Sequence, residues 1–270
     1  MTAAAYPRQY PRQLDQGVRL YRFSVAEYLA MADKGVFHRK DPIELIEGLL
    51  LIKGHILPPF GVPVGIPPRE IWPEGGAWRT HPLRRLTVPE YEKIVREGIL
   101  DPNIRHELIE GWVVEKMSRN PPHDYVLTCL QDALACVLPK NWILRVQMGM
   151  VLDESLPEPD LAVAIRPRTC FRERHPTPGD IALVVEVSDK TLTLDLGPKC
   201  RSYARNFVPQ LWVADVPNQI LHAFAGPSGP TDEPAFAQHI LLTIKDRVSV
   251  NLEGTMTGEF AVRDLFGVES

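Results

Sequence analysis

Three short segments carry side chains that could act together. Glu158-Pro159-Asp160 opens the apolar run 161–165, Glu186-Val187-Ser188 closes the apolar run 181–185, and Lys199 follows on the next element. An ionised carboxylate placed in or beside a strand interior costs several kcal/mol unless a cation or strong donors compensate it. Two such acids with a lysine nearby point to a divalent-metal site with a basic group beside it. That equipment suits phosphodiester hydrolysis. If the two strands are neighbours, Asp160 and Glu186 converge on one Mg2+ or Mn2+, since hard cations take oxygen ligands and keep part of their water. The Lys199 ammonium would then orient the attacking water and offset charge on the scissile phosphate. Taken singly, each residue has an ordinary reading: Asp160 as a turn residue, Glu186 as a strand end reaching solvent, Lys199 as a solvated helix lysine. The combination carries the expectation.

Other side chains are candidates for accessory roles. Ser188 either bonds to the metal shell or ends its strand. Tyr203 lies four residues after Lys199, on the same helical face. Asp195 caps or braces that helix. His123, at a helix start, is a general base, a phosphate contact, or a capping residue. Glu107 and Glu110 precede that helix in a hairpin, and one of them could complete the acid cluster. Arg166, Arg168, Arg172 and Arg174 form a basic stretch that either steers a phosphate backbone or lies solvated in a loop.

The elements that must hold these residues follow from periodicity. Val126, Cys129, Leu130, Ala133, Leu134 and Val137 recur at helical spacing. Residues 142–152, 160–165 and 181–187 read as strands. Alternation sets Ala182, Val184, Glu186 and Ser188 on one side of the last, against Leu183, Val185 and Val187 on the other. A helix is expected over 199–206 with Pro198 near its start, then a strand over 210–216. Further strands are expected over 219–225 and 238–250, and a last helical turn within 260–266. The order is α-β-β-β-α-β, an α/β class with a mixed central sheet.

The front of the chain carries a repeat. Ser24-Val25-Ala26-Glu27-Tyr28 matches Thr87-Val88-Pro89-Glu90-Tyr91, and Glu44-Leu45-Ile46-Glu47-Gly48 matches Glu107-Leu108-Ile109-Glu110-Gly111, at a constant offset of 63. Each copy reads as a capped helix, a glycine stop and a hairpin. The first hairpin continues Leu49-Leu50-Leu51-Ile52, apolar on both faces, and should be covered by the main body or by another protomer. The expected division is a first helix–hairpin copy at 1–53, a Pro/Gly-rich linker at 54–83 packed through Phe60, Ile71, Trp72 and Trp78, and a catalytic domain at 84–270. The first copy is expected to be a docking element rather than a second active site.

Composition sets outer limits. The 270 residues are 44% hydrophobic and 24% charged, ordinary values for a globular chain, and the net charge of −4 leaves any nucleic-acid binding to a local patch. The four cysteines form no CxxC pair, and no apolar stretch reaches the ~20 residues that span a bilayer. The N-terminus lacks the apolar run of a signal peptide, so a cytoplasmic location is expected.

The ordered set of Arg85-Leu-Thr-Val-Pro-Glu-Tyr, Glu107-Leu-Ile-Glu-Gly, Pro122-His123, Glu158-Pro-Asp-Leu-Ala-Val, Val184-Val-Glu-Val-Ser-Asp, Asp195-x-x-x-Lys199, Tyr203-Ala and Leu211-Trp-Val-Ala-Asp resembles the Uma-type family of restriction endonucleases, within the PD-(D/E)XK nuclease superfamily. The likeness spans roughly 84–267. It implies a restriction-endonuclease-like fold, Mg2+-dependent cleavage, and Asp160 and Glu186 as metal ligands. It also implies that Ser188 stands where many superfamily members carry the motif lysine, with Lys199 as its relocated equivalent. Two positions depart from the family pattern: Phe207 where a glycine is common, and Gln210 where a glutamate is common. The front repeat is an addition. The expected function is a metal-dependent endonuclease acting on nucleic acid, DNA first, as a homodimer. The competing reading is a nuclease-fold module that binds nucleic acid or a partner protein without cutting.

Overall fold

Capping chemistry starts the two front helices, α1 (Val25–Asp33) and α2 (Val88–Arg96). The Ser24 and Thr87 hydroxyls accept from the backbone N–H groups of Glu27 and Glu90, and those glutamates accept from the cap N–H groups at 2.6 and 2.8 Å. Two otherwise orphaned donors are satisfied at each helix start. A hairpin follows each helix: β1 (Ile43–Ile46) with β2 (Leu49–Ile52), and β3 (His106–Ile109) with β4 (Trp112–Glu115). Between β3 and β4, Glu110 and Gly111 both take positive φ, which suits a two-residue turn to the twist of its strands. The computed structural model describes residues 19–46, 48–52 and 84–268. The stretch 54–83, with the packing expected of Phe60, Ile71, Trp72 and Trp78, lies outside the described residues.

The two copies are stitched together reciprocally. The Tyr21 N–H donates to the Val113 carbonyl and the Arg84 N–H to the Leu50 carbonyl, while Phe23 N–H donates to Gly48 and Leu86 N–H to Gly111, all at 2.8 Å. Each lead-in segment therefore bonds its own hairpin's turn and the other copy's second strand. Leu49, Leu50 and Leu51 are buried. With Leu86, Trp112 and Val113, the first two line a cavity of only about 20 Å3. The cover expected from the main body or another protomer comes here from the sister copy. The chain divides into two compact units, 1–116 and 117–270, so the second copy groups with the first rather than with the residues that follow it.

In the second unit, Asn120 caps α3 (Pro121–Val137) by accepting from the His123 N–H, and Pro121 and Pro122 fill the first turn, where a missing N–H costs nothing. Val126, Leu127, Leu130 and Leu134 are its buried stripe; Cys129 is half-buried and Cys136 exposed. A six-stranded sheet has the order β10-β9-β8-β7-β6-β5. Its strands are β5 (Trp142–Val146), β6 (Leu161–Ile165), β7 (Ile181–Ser188), β8 (Gln210–Asp215), β9 (Ile220–Pro227) and β10 (Phe236–Thr243). All neighbours are antiparallel except β7 and β8, whose parallel pairing needs the helical crossover between them. A turn at Thr243–Asp246 splits the strand expected over 238–250, and β11 (Arg247–Leu252) instead pairs with β12 (Thr255–Ala261), ahead of α6 (Val262–Leu265).

One apolar cluster joins α3, α6 and β11 to Leu161, Val163, Leu183, Val185, Val187 and Trp212; another joins Tyr203 to Ala162, Val184, Leu211 and Val213. Alternation thus holds along most of β7, but Ala182 falls in the first cluster with Leu183. The cause is a bulge: Val163 pairs with Leu183 and Ala164 with Ile181, which leaves Ala182 as the extra residue on β7.

Candidate active site

The β6–β7 register brings the two acids together. Leu161 pairs with Val185 in antiparallel sense, so one step further sets Asp160 across from Glu186. A second bond locks that juxtaposition: the Val187 N–H donates to Asp160 Oδ2 at 2.9 Å. Gln147 Nε2 donates to Asp160 Oδ1 at 3.1 Å, and His123 Nε2 stands 3.4 Å from Oδ2. Burial alone would raise the Asp160 pKa; the His123 bond and charge, the Val187 N–H and the charge on Lys199 reverse that and hold it at about 2. For His123, burial works to lower its pKa, but the two aspartates beside it, Asp160 first and then Asp124, raise it above its ordinary value.

Glu186 is 2% exposed. Its Oε1 accepts from Tyr203 Oη at 2.6 Å and from Lys199 Nζ at 3.2 Å. Lys199 Nζ also stands 3.5 Å from Asp195 Oδ1, and the other Asp195 oxygen accepts from the hydroxyls of Ser188 and Thr191. Burial raises the Asp195 pKa even with Lys199 alongside. Ser188 therefore braces the acid that holds the lysine.

The crossover explains how Lys199 reaches inward. Instead of a helix beginning at 199, helical structure starts at α4 (Leu192–Leu194), widens into a π turn over Asp195–Lys199, and continues as α5 (Cys200–Arg205). Pro198 lies inside it. Proline lacks an N–H and its ring crowds the carbonyl four residues back, so the chain loosens to the wider turn there. The wider turn puts Asp195 and Lys199 both against β7, and leaves Tyr203 on the same side one α-turn later.

Acceptor-only carboxylates from adjacent strands, with no thiolate among them, fit a hard divalent cation. Among the described residues no group of three or more His, Cys, Asp or Glu side chains is gathered to hold a metal. A cation here would accordingly keep water or phosphate oxygens in its remaining positions, as Mg2+ commonly does.

The four candidate arginines follow β6. Arg166 begins the connection at the end of β6 away from Asp160 and donates to the Trp142 carbonyl at 2.8 Å. Arg174 forms a two-pronged pair with Asp180 at 2.6 and 3.1 Å, while Arg168 and Arg172 are exposed. Arg166, after β6, and Arg174, through Asp180 just ahead of β7, are tied to the strand ends opposite Asp160 and Glu186. Glu107 lies in the first unit, where Lys116 Nζ is 3.8 Å away, and Glu110 occupies the β3–β4 turn. Phe207, standing where a glycine is common, takes φ 60 all the same.

Two participants were missed from the sequence. Gln147 bridges Arg119 and Asp160 from a positive-φ position just past β5. Asn120 ties the start of α3 to Asp189, at the end of β7, with a 2.7 Å bond. The residue before Pro121-Pro122 could have signalled the cap; nothing in the sequence marks Gln147.

A family described as "Uma2: Putative restriction endonuclease" matches residues 88–253, more than half of the chain. The chain belongs to this family. Among solved structures it is similar to one described as "a putative nuclease belonging to DUF820", from Anabaena variabilis, at 15% identity and a TM-score of 0.50; the alignment covers 68% of this chain and 98% of that one. At that identity the likeness concerns the fold. No curated protein matches the sequence. The Uma2 match takes in Asp160, Glu186 and Lys199, and begins after the first helix–hairpin copy has ended. No helix among the described residues is long and apolar enough to cross a membrane.

Proposed function

We propose that this Uma2 protein is a metal-dependent endonuclease of the PD-(D/E)XK type that hydrolyses DNA in the cytoplasm. The observation that carries the reading is the three-way meeting of Asp160, Glu186 and Lys199, from two paired strands and a π turn, at one place in the second unit. Asp160 and Glu186 would hold Mg2+ or Mn2+. When bound, the ion supplies charge stabilisation at the scissile phosphate and lowers the pKa of a coordinated water.

The remaining work falls to the chain's own groups. Lys199 stands between two acids in a low-exposure site, so its charge is held in place rather than swept by solvent. A pre-oriented cation of that kind acts on developing phosphate charge without reorganising at the moment of reaction. Tyr203 fixes the Glu186 oxygen that Lys199 also touches. Ser188 and Thr191 fix Asp195, and Asp195 fixes Lys199. His123 and the Val187 N–H keep Asp160 ionised, as a metal ligand must be.

The test is incubation of the purified protein with plasmid, linear duplex, single strands and RNA, in Mg2+, Mn2+ or EDTA. Cleavage that requires the metal, and that Asp160→Asn and Glu186→Gln abolish, is expected. A parallel thermal melt should show Mg2+ raising Tm in the parent protein and not in Asp160→Asn. Full cleavage in EDTA, or by either variant, refutes the assignment.

A further inference from the structure

The front unit is built as a pair. Its hydrogen bonds come in equivalents separated by the repeat offset: Tyr21 to Val113 corresponds to Arg84 to Leu50, and Phe23 to Gly48 corresponds to Leu86 to Gly111. The bridge between Leu20 and Val114 and the Glu115 N–H bond to the Arg19 carbonyl extend the first of these. Polar contacts join the helix ends of the two copies as well. Lys93 Nζ donates to the Gly35 carbonyl at 2.9 Å, and Lys34 pairs with Glu97 at 3.1 Å. Lys34 and Glu97 are themselves equivalent positions, so this contact lies where the two copies meet around a shared axis.

Reciprocal exchange of this kind is the geometry of a two-fold dimer, in which each partner offers the same patch and receives the other's. A chain with one copy would present the β4 edge and its apolar face open. Such an edge is a template for another strand, and it could be closed in this manner only against a second chain. Here the closing strand belongs to the same chain. The copy that provides it lies ahead of the residues matched by the family, and the structural relative is covered almost completely by about two thirds of this chain.

We infer that the first copy, residues 19–52, takes the place of a second subunit, so that the pairing surface of residues 84–116 is occupied from within and binds no second copy of the protein. A homodimer of this chain, if one forms, uses some other surface. The inference is independent of the nuclease reading, and its test does not involve cleavage.

Leu20 and Val114 are a non-hydrogen-bonded antiparallel pair, since the flanking bonds run from Tyr21 to Val113 and from Glu115 to Arg19. Such pairs bring Cα atoms to about 4.5 Å, within disulfide range. The full-length double variant Leu20→Cys/Val114→Cys should oxidise to a link within one chain. The expected result is a 20–114 cross-linked peptide by mass spectrometry with the protein still running as a single chain on a non-reducing gel. The native cysteines all lie beyond residue 116, so they do not confuse the mapping.

A 20–114 link between two chains would overturn the inference, and so would a folded variant whose two thiols stay unlinked. Should burial of the new thiols prevent folding, Lys34→Cys/Glu97→Cys provides the same discrimination at exposed positions. A short bismaleimide is expected to join 34 to 97 within one chain, and joining between chains overturns the proposal.

Discussion

Two sets of acids, one in each unit, do opposite work. In the first, Glu27 and Glu90 are spent on helix starts: each closes a capping box, and each has a side-chain donor from six residues upstream, Tyr21 in one copy and Arg84 in the other. In the second, Asp160, Glu186 and Asp195 cap no helix and satisfy no ladder. Glu186 and Asp195 are buried and Asp160 is half-buried, and they are held by His123, Tyr203, Lys199, Ser188 and a backbone N–H, among others. The first arrangement lowers the free energy of folding. The second takes charge out of water and recovers the cost only through partners that must all be present. Acids whose charge is offset only by a converging set of partners, away from any helix start, are what the proposed chemistry would need.

That contrast can be broken in graded steps. The largest effect is expected from Asp160→Asn and Glu186→Gln. Each should lower the cleavage rate per folded molecule by about 10²–10³-fold or more, beyond anything a shift in melting temperature accounts for, as measured by single-turnover assay beside a thermal melt. Lys199→Met comes next and should fail on both counts. It strips the cation from two buried carboxylates, which should cost roughly 3–5 kcal/mol by denaturant titration as well as activity. Thr87→Ala tests the other side of the contrast. Loss of one cap should cost about 1 kcal/mol of stability, with the cleavage rate per folded molecule unaltered.

The smallest effect concerns Asp180, whose pairing with Arg174 holds its pKa at about 2. Because the folded value lies below the unfolded one, its contribution is complete above about pH 4 and is lost as the pH falls toward 2. Arg174 is about half exposed, so solvent screening keeps the contribution small. Asp180→Asn should remove that slope from the acid limb of a stability–pH curve.

The site was more legible than its supports. Asp160, Glu186 and Lys199 were readable because a charged residue in an apolar run conflicts with its surroundings, and such conflicts show in one dimension. The capping boxes were readable because their spacing is local. Gln147 was not, since its role depends on a strand end curling back to Asp160. The π turn was hidden because Pro198 looked like a helix start; whether a proline opens a helix or widens one depends on packing against β7. The front stitching was invisible for a different reason. Backbone hydrogen bonds between Tyr21 and Val113 or Arg84 and Leu50 use no particular side chain, so the repeat announced two copies and said nothing of how they join. Ala182 falls on the unexpected side because it is itself the extra residue of a bulge in β7, and one such residue is enough to undo alternation.

Having both halves of the front unit on one polypeptide frees them from matching. In an assembly of identical subunits every mutation arrives twice, and a change that suits one side must be tolerated on the other. Here Tyr21 occupies the position equivalent to Arg84, and the Ile43 carbonyl that receives the Tyr28 hydroxyl answers to the His106 ring that meets Tyr91. Each of these positions is free to change alone, so a binding feature that arises in one half can persist without being imposed on its twin.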